Sequence, residues 1–372
     1  MTKRLPERGA AWADIKGRLE ASKAGDYAWN RGRLPLYVYW RDEELCQVAR
    51  EAASMFFVEN GLGKRAFPSV QQLEQEVVAM TLGLLNGGAH SVGNFTSGGT
   101  ESIFLAVKTA RDFARAERRI AGRPKVVAPQ SAHPAFDKAA HYLDMEVVRT
   151  PLRKDFRADL GAMKEAVDEN TVMLVASAPA YPHGVFDPVE EIAGIARAKD
   201  IWLHVDACVG GLLAPFVRDI GYDVPPFDFS VEGVTSISAD LHKYGFTAKG
   251  ASIVLFADAT YQKHLRFHFS DWPRGNYITD TFLGTRAAGP VASAWAVMHY
   301  LGAEGYREIA RTIMETKARF AEGIAAIAGL EILKPNDLSF LLYRSVDDGV
   351  DIDGVAEGMA DRGWFVGRCN AP

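Results

Sequence analysis

A chain of 372 residues exceeds the usual size of one domain, so a large unit with a smaller one is the expectation. With 48% hydrophobic, 10% aromatic and 24% charged residues, it carries enough apolar material for a sizeable core, which excludes a disordered chain. Basic side chains number 42 and acidic ones 47, a net charge of −5 that excludes general nucleic-acid binding.

In chain order, residues 1–40 mix Gly, Pro, charges and aromatics without a period and read as an arm. Stretches 41–58 and 71–86 read as helices; in the second, Leu73, Val77, Met80 and Leu84 recur at helical steps. A helix over 101–119 places Ile103, Val107, Ala110 and Ala114 on one face. Short apolar runs then predict strands at Lys125–Pro129, Met145–Thr150, Val172–Ala176, Trp202–Asp206, Thr235–Ala239 and Ser252–Phe256. Helical stretches at 133–143, 159–168 and 188–200 separate them, so the pattern predicts a largely parallel α/β sheet covered by helices on both faces. Helices return at 287–301 and 305–328, followed by a strand at 339–344. The expected division is an N-terminal arm and helix over 1–65, a large domain over 66–300 and a small C-terminal domain over 301–372. That last domain is expected to be incomplete, because the sequence stops where a strand begins. Cys46, Cys208 and Cys369 lie far apart with no C-x-x-C spacing, which favours a reducing compartment. No apolar run approaches the ~20 residues of a membrane span, and Met1–Arg18 has no signal-peptide block, so a cytoplasmic location is expected.

Four motifs carry chemistry. Thr96-Ser-Gly-Gly-Thr-Glu-Ser102 precedes a helix, and its glycines let backbone N–H groups approach an anion, with Thr100 and Ser102 adding hydroxyls. Taken alone it is also a glycine turn with a helix cap. His204-Val-Asp206 ends an apolar strand, where α/β proteins place ligands, and a carboxylate there keeps a heteroaromatic nitrogen protonated. Ser238-Ala-Asp-Leu-His-Lys243-Tyr-Gly245 follows another strand, making Lys243 a Schiff-base candidate whose amine is freed by partial desolvation. His133, in Ser131-Ala-His-Pro-Ala-Phe136, follows a third strand end and supplies a planar ring. Together, a phosphate cradle, a stacking ring, a carboxylate and an aldehyde-capturing lysine are the parts that hold pyridoxal 5'-phosphate.

With Tyr37-Val-Tyr39, Phe67-Pro-Ser69, Pro182-His-Gly184 and Cys208-Val-Gly-Gly211, these motifs make the sequence similar to the pyridoxal-phosphate-dependent group II decarboxylase family. Within that family it resembles the sphingosine-1-phosphate lyase branch, over about residues 35–365. The resemblance implies an aspartate-aminotransferase-like (type I) fold. It also implies a homodimer acting on a small-molecule amine or amino acid, with retro-aldol carbon–carbon cleavage through an external aldimine. A group II amino-acid decarboxylase and a catalytically weak cofactor-binding homologue are the alternatives. Carried over by position, Lys243 forms the covalent link, Asp206 pairs with the pyridine nitrogen and His133 stacks on the ring. Gly98, Gly99, Thr100 and His242 hold the phosphate, and Gly284-Thr285-Arg286 offers a phosphate contact to the partner's site. Tyr39 reaches across the dimer towards substrate, Asn60 lines the pocket, and Lys249 assists catalysis.

One departure bears on substrate. Where the lyases carry a histidine before the Phe-Pro pair, this chain has Gly63, followed by Lys64 and Arg65, so a substrate other than a long-chain base phosphate is expected. A dinucleotide site at Gly61-Leu-Gly63 is not expected, since that stretch follows a helical segment and no strand. A metal hydrolase built on His204, Asp206 and His133 or His141 is the rival from another class.

Overall fold

The computed structural model describes residues 4–118, 120 and 122–369, and these gather into two compact units. One joins the residues up to Val38 with Asp351–Arg368. It holds α1 (Trp12–Ser22), which buries none of its side chains, and a last helix over Ile352–Asp361. Phe365 N–H donates to Arg33 O at 2.9 Å, the rings of Tyr27 and Tyr37 stand edge-on to Phe365, and the Arg33 guanidinium lies 4.3 Å over the Trp364 ring.

The other unit, Tyr39–Val350, is built on seven strands. They are β1 (Val92–Thr96), β2 (Lys125–Pro129), β3 (Glu146–Thr150), β4 (Thr171–Ser177), β5 (Trp202–Asp206), β6 (Val234–Ala239) and β7 (Ser252–Phe256), in the order β1-β7-β6-β5-β4-β2-β3. Pairings from β3 through β6 are parallel, while β7 runs antiparallel to both β6 and β1. β4 is buried at every position, as expected of a strand covered on both faces. Two apolar layers flank the sheet: one gathers Phe136, Trp202 and Ile103, the other Phe186, Phe227 and Leu203.

The helices of this unit are α2 (Glu43–Met55), α3 (Pro68–Leu84), α4 (Gly99–Phe113), α5 (Ala135–Tyr142), α6 (Leu160–Ala166), α7 (Val189–Ala198), α8 (Ala214–Asp219), α9 (Gln262–Leu265) and α10 (Gly289–Ala325). The two helices expected near the C-terminus form the single span of α10, broken at Gly302, whose φ of 56° leaves the helical region. β1 is not among the expected strands, because its Val-Gly-Asn-Phe-Thr carries two poor strand formers; pairing with β7 decides its conformation. Also unforeseen is an exposed hairpin, β8 (Phe267–Phe269) with β9 (Tyr277–Thr279). A second two-stranded pair follows, β10 (Leu330–Leu333) with β11 (Leu342–Ser345), the latter close to the expected strand.

Candidate active site

The carboxyl ends of β4, β5 and β6 and the start of α4 enclose one cavity of ≈ 350 Å³. Among its lining residues are Gly98, Gly99, Thr100, His133, Asp206, His242 and Lys243, seven positions singled out from sequence. Crevices outside the carboxyl ends of parallel strands are where such folds bind ligands.

At the cavity's α4 end, the first helical N–H groups follow Gly98, whose carbonyl accepts from Glu101 N and Ser102 N at 2.9 and 3.1 Å. A side chain at Gly99 would place its Cβ 2.8 Å from both Asp240 Oδ1 and Cys208 Sγ, so only glycine fits there. Ser102 corrects the sequence expectation: its hydroxyl turns inward to Thr96 Oγ1 at 2.6 Å and Ser252 Oγ at 2.8 Å, knitting α4 to β1 and β7. Glu101 was missed. Its Oε2 accepts from Ser97 N and Oγ at 2.7 and 2.6 Å, while Oε1 accepts from Phe282 N at 2.9 Å, tying the loop after β9 to the glycine loop. The signal was an acidic residue in the first turn after a Ser-Gly-Gly start, as in a capping box.

Lys243 Nζ stands 3.0 Å from Asp240 Oδ2, with His242 Nε2 3.7 Å from the same oxygen. The expectation of a lowered lysine pKa is overturned here. Burial disfavours the ammonium most strongly of any single influence, but the Asp240 carboxylate together with the neighbouring Cys208, Tyr39 and Asp206 outweighs it and holds Lys243 above its ordinary value. Asp240 is buried, lines the cavity, and has no hydrogen-bond partner for Oδ1. His133 is fixed by Ala135 N–H donating to its Nδ1 at 3.1 Å, which leaves its ring at the cavity wall.

Asp206 is 8% exposed and accepts at Oδ1 from Cys208 N at 3.1 Å and Ser238 Oγ at 3.2 Å. Both ring nitrogens of the neighbouring His204 are taken by serine hydroxyls, which removes it from the metal-ligand role. Among the described residues no group of three or more His, Cys, Asp or Glu side chains is placed to hold a metal ion.

Tyr39, Asn60, Lys249, Gly284 and Thr285 do not line this cavity. Tyr39 packs in its own chain: its ring is 4.8 Å from that of Tyr244, with Lys249 Nζ 5.4 Å from its centre. Burial pushes the Tyr39 phenol up, so it stays protonated. Lys249 donates to His242 O at 3.1 Å, and burial followed by the nearby Lys243 charge pulls its ammonium down. Asn60 Oδ1 accepts from Leu62 N and Gly63 N at 3.2 and 3.1 Å, and Asn60 bridges to Ala287. Residues 59–61 thereby pair with 286–288, where Arg286 forms an ion pair with Glu74. Gly63 has room for a side chain: an added Cβ meets nothing nearer than Phe67 Cδ2 at 3.4 Å.

These features fit a phosphorylated pyridine aldehyde. The side-chain-free Gly99 and the adjacent helix start suit a phosphate, Lys243 suits an aldehyde, and the carboxylate of Asp206 suits a ring nitrogen.

Comparison with known proteins agrees. The profile of the pyridoxal-dependent decarboxylase conserved domain matches residues 46–344. The sphingosine-1-phosphate lyase of Oryza sativa is 44% identical over 95% of this chain and 66% of its own length. The solved sphingosine-1-phosphate lyase of Burkholderia pseudomallei superposes with a TM-score of 0.93 at 40% identity, covering 98% of this chain and 85% of that one. A probable L-tyrosine/L-aspartate decarboxylase of Methanothermobacter thermautotrophicus is 33% identical over 85% of this chain and 84% of its own. The chain spans 66%, 69% and 63% of the first three curated lyases it matches. Among the described residues no helix is long and apolar enough to cross a membrane. Profile, identity and superposition converge: the chain belongs to the pyridoxal-dependent decarboxylase family, in its sphingosine-1-phosphate lyase-like branch, with the type I fold and pyridoxal 5'-phosphate as cofactor.

Proposed function

We propose that this chain is a carbon–carbon lyase that splits a hydroxylated amine phosphate, retro-aldol fashion, into an aldehyde and a smaller amine phosphate. The carrying observation is that Lys243, Asp206, His133 and the Gly98–Thr100 loop line one cavity of ≈ 350 Å³. When bound, pyridoxal 5'-phosphate supplies a sink for the electron pair released by bond cleavage. Lys243 offers its amine to the cofactor aldehyde, and Asp206 holds the proton on the ring nitrogen. His133 stacks on the ring, while Gly98, Gly99, Thr100 and His242 bind the phosphate. Lys249, whose ammonium is pulled down, would take the proton from the substrate hydroxyl as that oxygen becomes the aldehyde carbonyl, with a proton then delivered to the carbon that has lost its bond, and the protonated Tyr39 phenol would donate a hydrogen bond to substrate. Asn60 orients the loop that borders the substrate.

The working form we propose is a cytoplasmic homodimer, in which Gly284 and Thr285 reach the phosphate of the partner's site. Exposed Phe57, Val58, Phe267, Phe269 and Ile278 support an interface, and three free cysteines support a reducing compartment. A second reading, amino-acid decarboxylation, is favoured by the Methanothermobacter relative.

The test incubates cofactor-loaded protein with sphingosine 1-phosphate, with shorter phosphorylated hydroxyamines, and with L-tyrosine and L-aspartate. Aldehyde and amine phosphate in equal amounts, without carbon dioxide, is the expected result, with the shorter substrates preferred. Carbon dioxide from the amino acids alone establishes the decarboxylase reading instead. Preferred turnover of sphingosine 1-phosphate contradicts the substrate expectation built on Gly63.

A further inference from the structure

Two neighbouring strands carry a polar pattern that the reaction scheme above leaves unused. Trp202, His204 and Asp206 alternate along β5 and so share one face, as do Ser236 and Ser238 along β6. The strands are parallel, with His204 opposite Ser236 and Asp206 opposite Ser238. All five side chains are buried, His204 and both serines completely.

The hydrogen bonds form a single chain. Trp202 Nε1 lies 2.7 Å from Ser236 Oγ, which lies 2.8 Å from His204 Nδ1. His204 Nε2 lies 3.2 Å from Ser238 Oγ, which lies 3.2 Å from Asp206 Oδ1.

Counting donors fixes the direction. An indole N–H only donates, so Ser236 accepts from Trp202; at the other end Ser238 spends its one proton on Asp206 Oδ1 and so accepts from His204 Nε2–H, which in a neutral ring leaves Nδ1 bare to take the Ser236 proton. A bare Nδ1 puts the ring proton on Nε2, which donates to Ser238. Ser238 in turn donates to Asp206 Oδ1. The Cys208 thiol adds a second donor to Ser238 at 3.4 Å.

The ring itself is neutral. Burial pushes the His204 pKa down to about 4, with Asp206 pulling the other way. Phe136 stands edge-on to it at 5.7 Å. The other titratable groups lining the cavity at this end of the sheet are Glu101, His133, Tyr181, Cys208, Asp240, His242 and Lys243.

We propose that Trp202, Ser236, His204 and Ser238 are a one-way hydrogen-bond relay that positions Asp206, holding Oδ1 as an acceptor and leaving Oδ2 for the ring nitrogen of the bound cofactor. The four are positioning residues, since none touches the reacting atoms. The inference rests on the proposed role of Asp206. It accounts for a fully buried histidine between two serines, where an apolar side chain would pack without any hydrogen bond to satisfy.

Two measurements test it. In cofactor-loaded protein labelled with ¹⁵N-histidine, the His204 signal, identified by its loss in His204→Gln, should show Nε2 protonated and Nδ1 bare at neutral pH. In cofactor titrations, Ser238→Ala and His204→Leu should weaken binding roughly 10- to 100-fold and shift the pH titration of the cofactor's absorption band, with His204→Gln close to the parent. Ser238→Ala removes one oxygen from a folded strand, so it serves if His204→Leu fails to fold. An Nδ1–H tautomer or an imidazolium overturns the relay. So does unchanged cofactor affinity in Ser238→Ala when Asp206→Ala binds weakly, because a merely structural role lowers the melting temperature alone. If Asp206→Ala itself binds cofactor as tightly as the parent, the role of Asp206 falls, and the relay with it.

Discussion

Asp206→Ala is expected to cut turnover by roughly 10²- to 10⁴-fold, because it would remove the buried carboxylate proposed to pair with the cofactor's ring nitrogen, a loss of about 3–5 kcal/mol. Asp206 sits at the carboxyl end of β5 and is 8% exposed, so no solvent ion replaces it. The loss should fall on kcat more than on KM, since the carboxylate matters most when charge flows into the ring. Asp206→Asn keeps the shape and part of the hydrogen bonding but not the charge, and should be nearly as slow. Steady-state kinetics with saturating cofactor check this. A variant within about tenfold of the parent would remove Asp206 from the role given to it.

Gly99→Ala is expected to raise the cofactor dissociation constant by roughly 5- to 150-fold, the equivalent of about 1–3 kcal/mol of overpacking. The new methyl would stand 2.8 Å from Asp240 Oδ1, 2.9 Å from Asp240 Oδ2 and 2.8 Å from Cys208 Sγ. Both side chains are buried, and Asp240 also holds Lys243, so the clash is relieved only by disturbing the lysine. Gly83→Ala is the control: its added Cβ meets nothing within 4 Å on α3, and affinity there should stay unchanged. Equilibrium titration of apoprotein with pyridoxal 5'-phosphate reads both variants. Equal affinities for Gly99→Ala and Gly83→Ala would mean that the glycine loop does not cradle the phosphate.

Much of this site is legible in the sequence because each of its motifs directly follows an apolar strand or opens an amphipathic helix. Strand ends in a parallel sheet converge, so His133, Asp206 and Lys243 meet at one cavity without being near in sequence. What sequence hid depends on side-chain direction. Asp240 precedes Lys243 by three residues, and only the turn between β6 and β7 brings the carboxylate onto the ammonium, reversing the expected pKa. Ser102 looked like a phosphate ligand, yet one helical turn carries it to the buried side of α4. Asn60 and Gly284-Thr285 fall together on a strap held by the Arg286–Glu74 pair, a pairing between segments more than 200 residues apart that no local pattern encodes.

Attachment of the cofactor to Lys243 is the claim on which every role above depends. Purified protein loaded with pyridoxal 5'-phosphate, reduced with borohydride, digested and mapped by mass spectrometry tests it most directly. The account predicts a visible absorption band that borohydride removes, with one pyridoxyl group per chain on the peptide containing Lys243, and no such label in Lys243→Ala. Label scattered over exposed lysines such as Lys16 and Lys263, or label undiminished in Lys243→Ala, would contradict it.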